Sequence, residues 1–151
     1  MSRGGTAPAC WRLATAPGVS GGVAIIQIEG DVDRALTGAG IAPVGVGRAA
    51  LRTLCGVDER LVTRWTPSCA HLTPHGGALV ARRVCEALAR AGVPEAASLV
   101  PAAAYPETAG EMEARLLDAI ARAQSPRAID LLLDQPARWA RHGQEDPRAH
   151  A

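Results

Sequence analysis

The sequence predicts an α+β fold: a mostly antiparallel sheet with one main helix packed on it, followed by a C-terminal helical pair. Three observations lead there. Short apolar or alternating runs near residues 10–15, 23–29, 48–55, 61–65 and 69–73 are bounded by Gly and Pro, as strands are. Residues 78–91 carry apolar positions at helical spacing, with arginines and a glutamate opposite. Beyond Gly92 and Pro94 the pattern changes to helix-start signals without further strand alternation.

Taken in order, residues 1–9 read as a disordered tail and residues 10–15 as a first strand halted by Pro17-Gly18. The Gly18-Val19-Ser20-Gly21-Gly22 loop leads into residues 23–29. There, Ile and Val around Gln27 suit a strand covered on both faces. Asp31 is placed to cap a short helix through Leu36, which Gly38-Ala39-Gly40 breaks. Residues 48–55 fit a helix by propensity and a strand by position. Gly56-Val57-Asp58 with the following Leu61-Val62-Thr63-Arg64-Trp65 favours a hairpin. Thr66-Pro67-Ser68 is a tight connection.

Residues 69–92 are the most ordered stretch. A short strand is stopped by Pro74, which has no N–H for a ladder, and His75-Gly76-Gly77 turns into the helix. Val80, Val84, Leu88 and Ala91 form its apolar side, and Gly92 closes it. The N–H groups of Gly76, Gly77 and Ala78 are expected to lie free at the helix start, able to meet an anion or a polarised carbonyl. The same glycines equally suit close packing of helix on strand.

Farther on, a short strand is expected near residues 97–100. Thr108-Ala109-Gly110-Glu111 is a capping-box pattern for a helix with Met112, Leu116, Ile120 and Ala123 on one stripe. Ser125-Pro126 starts another helix with Ile129, Leu132 and Leu133 on its apolar side, ended or kinked at Pro136. The expected organisation is an α+β domain over 10–106, a helical segment over 107–140 and a disordered tail over 141–151.

The 151 residues contain no Phe, Lys or Asn, and all 16 basic residues are Arg. Without lysine there is no P-loop and no Schiff-base chemistry, so the chain is not expected to be a GTPase by itself, and an enzyme of its own, metal-dependent or otherwise, ranks behind a binding module and an interaction protein. A net charge of +1 gives no basic excess, so direct nucleic-acid binding is not expected. No apolar run is long enough to span a bilayer and no signal pattern opens the chain. Four cysteines without a CxxC pair read as thiols in a reducing compartment, and the expected location is cytoplasmic.

Three segments carry a family resemblance. Residues 14–30, ATAPGVSGGVAIIQIEG, resemble the ATPPGRGG-x-G-I-x-R-I-S-G segment of the N-terminal domain of the tRNA-modification GTPase MnmE (TrmE). Asp58-Glu59-Arg60-Leu61-Val62 resembles its DE-x-L-V, and residues 75–84, HGGALVARRV, resemble its HGGP-x-V-x-R-x-[IL]. Val19-Ser20 stand where the family has one arginine. The resemblance spans residues 10–92 and implies a fold like the tetrahydrofolate-binding part of the glycine-cleavage aminomethyltransferase (GcvT). It implies a homodimer that binds 5-formyltetrahydrofolate, and a link to tRNA wobble-uridine modification. By analogy Gly18, Ser20, Gly21, Gly22, His75, Gly76 and Gly77 would line the ligand pocket. The competing expectation is an interaction scaffold for a separately encoded GTPase or another tRNA-modification protein, with no ligand.

Three other patterns were weighed on residue type. Cys69, His71 and His75 have the spacing of a three-ligand Zn²⁺ set, with Cys10 or Cys55 as a fourth, although a surface-facing His71 and a turn-serving His75 account for them as well. Glu107, Glu111 and Glu113 read as helix-start acids. Trp11, Trp65 and Trp139 read as the large core fillers of a chain without Phe.

Overall fold

The structure, a computed structural model, describes residues 7–15, 21–97 and 101–142. The chain divides into two compact units, Met1–Leu99 and Val100–Ala151. The first is α+β. Its strands are β1 (Cys10–Leu13), β2 (Ile26–Glu29), β3 (Arg48–Leu54), β4 (Asp58–Thr66) and β5 (Cys69–Leu72), and its helices are α1 (Val32–Gly38) and α2 (Ala78–Arg90). The five strands form one sheet in the order β1-β2-β5-β4-β3, each neighbour antiparallel.

Register explains the core. Leu13, Ile26, Leu72, Val62 and Ala50 lie in one row across the sheet, and Trp11, Ile28, Ala70 and Arg64 in the next. These rows share a face because side chains alternate along a strand. Val32, Ala35 and Leu36 of α1 and Val84 and Leu88 of α2 join them in one buried cluster. Each fully buried aliphatic side chain here contributes about 1.5–3 kcal/mol, so both helices are held chiefly by this face. Asp31 caps α1, its Oδ1 accepting from Arg34 N–H at 3.1 Å. Gly92 leaves α2 at φ +80°, which a glycine tolerates without penalty.

Of residues 48–55, ambiguous by propensity, Arg48–Leu54 are a strand because β4 pairs along that whole length, and Cys55 belongs to the turn. Cys55 and Gly56 turn the hairpin with φ of 53° and 69°, and Val57 N–H donates to the Leu54 carbonyl at 2.9 Å. Two consecutive positive φ values match the twist of the strands they join. β4 starts at Asp58, earlier than residues 61–65 suggest, and shifts register between Arg64 and Thr66. The ladder of β2 starts only at Ile26; Val23 makes an isolated antiparallel bridge to His75.

Part of the expected N-terminal tail is held. Asp31 N–H donates to the Ala7 carbonyl, and Ala9 packs on the core. Among residues 97–100, positions 98–100 lie outside the described residues, while Glu95 bridges Trp11 in parallel. Of the tryptophans only Trp11 is a core residue; Trp65 and Trp139 are 39% and 43% exposed.

The second unit contains α3 (Pro101–Ala104), α4 (Glu111–Arg122), α5 (Pro126–Leu133) and α6 (Gln135–His142). Ser125 caps α5 with Pro126 at its start. Thr108 does not cap α4. Gly110 holds that position, and Glu113 reaches back to accept from Ala109 N–H at 2.7 Å. The expected capping box does not form, because Gly110 has no side chain to return a bond; Glu113, three residues after the cap, satisfies only the N–H of the residue before that cap. Ala114 is the buried residue of α4, whereas Met112 is exposed. Arg141 and His142, expected in a tail, belong to α6, where Pro136 sits in the first turn at no cost to helical hydrogen bonding. Residues 143–151 lie outside the described residues.

Candidate functional site

The two glycine bends meet. Gly76 N–H donates to the Gly22 carbonyl at 3.3 Å, Ala24 N–H donates to the Pro74 carbonyl at 2.9 Å, and Val23 bridges His75. A Cβ on Gly76 would lie 2.1 Å from the Gly21 carbonyl oxygen and 2.6 Å from its carbon. Those are backbone atoms, so only a residue without a side chain fits. At Gly22 the same addition meets nothing within 4 Å, and at Gly77 only a Val80 methyl at 4.0 Å. Gly18 and Ser20 lie outside the described residues.

This contact corrects one expectation. Gly76 N–H is not free for a ligand, because the neighbouring bend accepts it. His75 N–H is also engaged, donating to Asp58 Oδ2 at 2.9 Å. No side chain caps α2 at Gly77.

Asp58 and Arg60 complete the junction. Alternation places both on the helix-facing side of β4, in line with Val62. Asp58 Oδ1 and Oδ2 each lie 2.9 Å from His75 Nδ1, and Oδ1 also accepts from Glu59 N–H at 2.9 Å. Arg60 Nε approaches the same Nδ1 at 3.1 Å. The Asp58 side chain is 11% exposed and that of His75 is 50% exposed. Burial pushes the Asp58 carboxyl pKa up, but the His75 N–H, the His75 ring and the Glu59 N–H together outweigh it and hold the carboxyl below its ordinary value. Sequence reading noted Asp58 and Arg60 only as part of a motif; the pairing with His75, 17 residues away, needs the β4–β5 register to become visible.

The alternative zinc set does not assemble. Cys69 and His71 share one face of β5, as their spacing predicts, but it is the face away from α2. There, Cys69 accepts from Gln27 Nε2 at 3.6 Å. His71 Nδ1 accepts from Trp65 Nε1 at 3.0 Å, its ring meeting the indole edge-on at 5.7 Å. His75 is bound on the other side through Asp58. Among the described residues no three His, Cys, Asp or Glu side chains form a metal-binding group. Cys10 and Cys55 have thiol pKa values raised chiefly by burial, and burial with Glu95 pushes Cys85 up to about 11.

A surface groove of about 550 Å³ lies elsewhere, along Pro8, Asp31, Arg34, Ala35, Gly92 and Val93. Among the described residues, none of those expected to line a ligand pocket is part of it. No helix among the described residues is long and apolar enough to cross a membrane. Comparison of the chain with protein-family models and with curated proteins gives no match in either.

Proposed function

We propose that this chain is a diverged relative of the MnmE/TrmE N-terminal domain, with the GcvT-like fold that kinship implies. It acts as a dimerising, non-catalytic binding module for a one-carbon tetrahydrofolate such as 5-formyltetrahydrofolate, in the service of tRNA wobble-uridine modification. One observation carries the reading: the three segments that resemble the family converge on a single spot. Gly21, Gly22 and Val23 come from the first, Asp58 and Arg60 from the second, and His75 and Gly76 from the third. Segments kept only for packing have no reason to place a carboxylate, a guanidinium and an imidazole together beside two backbone bends. A half-exposed imidazole with a cation beside it suits the polar edge of a heterocycle.

Calorimetric titration with 5-formyltetrahydrofolate tests the ligand. Saturable heat that disappears in His75→Ala is expected, and no heat at millimolar ligand removes it. Sedimentation equilibrium tests the dimer.

A second reading is an interaction scaffold for a separately encoded GTPase. It is favoured by Leu51 and Leu61, which stand opposite each other on the face away from α2 at 57% and 46% exposure, with Trp65 on the same face. Co-purification of a GTPase that is lost on Leu51→Glu, together with no folate heat, selects it.

A further inference from the structure

We infer that Asp58 is a positioning residue that fixes His75 in its Nδ1–H form. His75 Nε2 then stands as a hydrogen-bond acceptor at the junction, and what binds there presents an N–H or O–H edge.

One ring nitrogen is contested by groups of opposite hydrogen-bonding character. Both Asp58 oxygens and Arg60 Nε lie within 3.1 Å of His75 Nδ1. A carboxylate only accepts and a guanidinium only donates, so Nδ1 cannot satisfy both. The carboxylate prevails on three counts. Its two oxygens are closer, it is held ionised by two backbone N–H groups as well as the ring, and it is nearly covered whereas the imidazole is half open. A covered anion left beside a lone pair would be costly. Nδ1 therefore carries the proton and donates it to Asp58.

With Nδ1 engaged by Asp58 and Arg60, Nε2 is the ring nitrogen left to meet a partner on a side chain that is half exposed. In the neutral ring that nitrogen has a lone pair and no proton. An acceptor framed in this way selects a lactam N–H, an imide N–H or a hydroxyl. A ligand carboxylate or a carbonyl edge would face a lone pair.

The ligand half of this inference rests on the proposed binding function, while the tautomer does not. The test is therefore in two arms. Long-range ¹H–¹⁵N spectra of the histidine-labelled full chain at pH 8, with His75 assigned by its loss in His75→Ala, report the tautomer directly. A pyrrole-like Nδ1 and a pyridine-like Nε2 are expected. In Asp58→Ala the pattern should invert, because Arg60 Nε is left as the donor to Nδ1. An Nε2–H ring in the wild-type chain overturns the inference, whether or not Asp58→Ala folds. In the second arm 5-formyltetrahydrofolate is titrated into the wild-type chain. The Nε2 resonance should move toward lower frequency, and Asp58→Ala, which turns Nε2 into a donor, should bind at least about tenfold more weakly. Saturable heat with an unmoved Nε2 overturns the ligand half and leaves the binding function standing. No heat overturns the folate reading and leaves the inference to the tautomer arm.

Discussion

Strand β4 carries two charged clasps on the same face, and they are built to opposite ends. Near its end Arg64 is 4% exposed at the side chain, and each of its three nitrogens donates. Nε donates to the Thr66 carbonyl at 2.7 Å, the terminal nitrogens to both Asp33 oxygens at 3.0 and 3.3 Å, and one of them also to the Pro67 carbonyl. At its start Asp58 holds a ring that is half open to solvent. The first clasp ties α1 to the β4–β5 turn and engages each of its three nitrogens. The second has one nitrogen to spare. A buried charge with every nitrogen engaged by its own chain is a structural part; a nearly covered charge that orients a half-exposed group is what the proposed binding function would use.

The comparison can be broken from either end. Arg64→Ala removes a buried guanidinium and its bonds to the Thr66 and Pro67 carbonyls, and a loss of about 2–4 kcal/mol in urea unfolding is expected. Most of that comes from the carbonyls, since Asp33 is 69% exposed and water screens its share. Gly76→Ala drives a Cβ into the Gly21 carbonyl and should cost about 1–3 kcal/mol by the same measurement. Gly22→Ala, where that atom would meet nothing, should cost less than about 1 kcal/mol. Equal losses at the two glycines would mean that the bends do not touch.

Asp58→Ala should cost about 1–2 kcal/mol at neutral pH. The sign of its pH dependence follows from a carboxyl whose folded pKa is depressed below 3.8. Its contribution is complete above the unfolded value and is lost as pH falls through the folded one. The stability gap between wild type and Asp58→Ala should close as pH falls below about 4; a gap that stays fully open there contradicts the clasp. The smallest effect is expected for His75→Ala, within about 0.5 kcal/mol, because half of that side chain is already in water. A loss beyond 2 kcal/mol would make His75 a structural part like Arg64.

The sheet was largely legible because its punctuation is local. Pro74, Gly56, the connection at Pro67-Ser68 and the helical spacing of Val84 and Leu88 each act within a few residues. What escaped depends on distance in sequence. Asp58 meets His75 only after β4 and β5 align, and Arg64 meets Asp33 only after α1 folds onto the same face, 31 residues apart. The glycine contact shows the same limit in another form. Composition marked Gly18, Gly21, Gly22, Gly76 and Gly77 alike, yet among those described Gly76 alone has backbone where its side chain would be. The cap of α4 was misplaced for a local reason: Thr108 uses its hydroxyl on the Tyr105 carbonyl, which leaves Gly110 to begin the helix.

The outer strand carries a further consequence. Thr73 N–H and Oγ1 both reach the Leu61 carbonyl, so that carbonyl points toward β5, and the carbonyl of Leu51 opposite points off the open margin. Arg52 covers it, donating to Leu51 O at 2.8 Å and to the carbonyls of Ala42 and Pro43 at 3.2 Å. A stray chain seeking to extend the sheet there would first have to unlace a guanidinium and the segment it staples down. One arginine thus guards an alanine- and leucine-bearing rim against self-templating growth into fibrils.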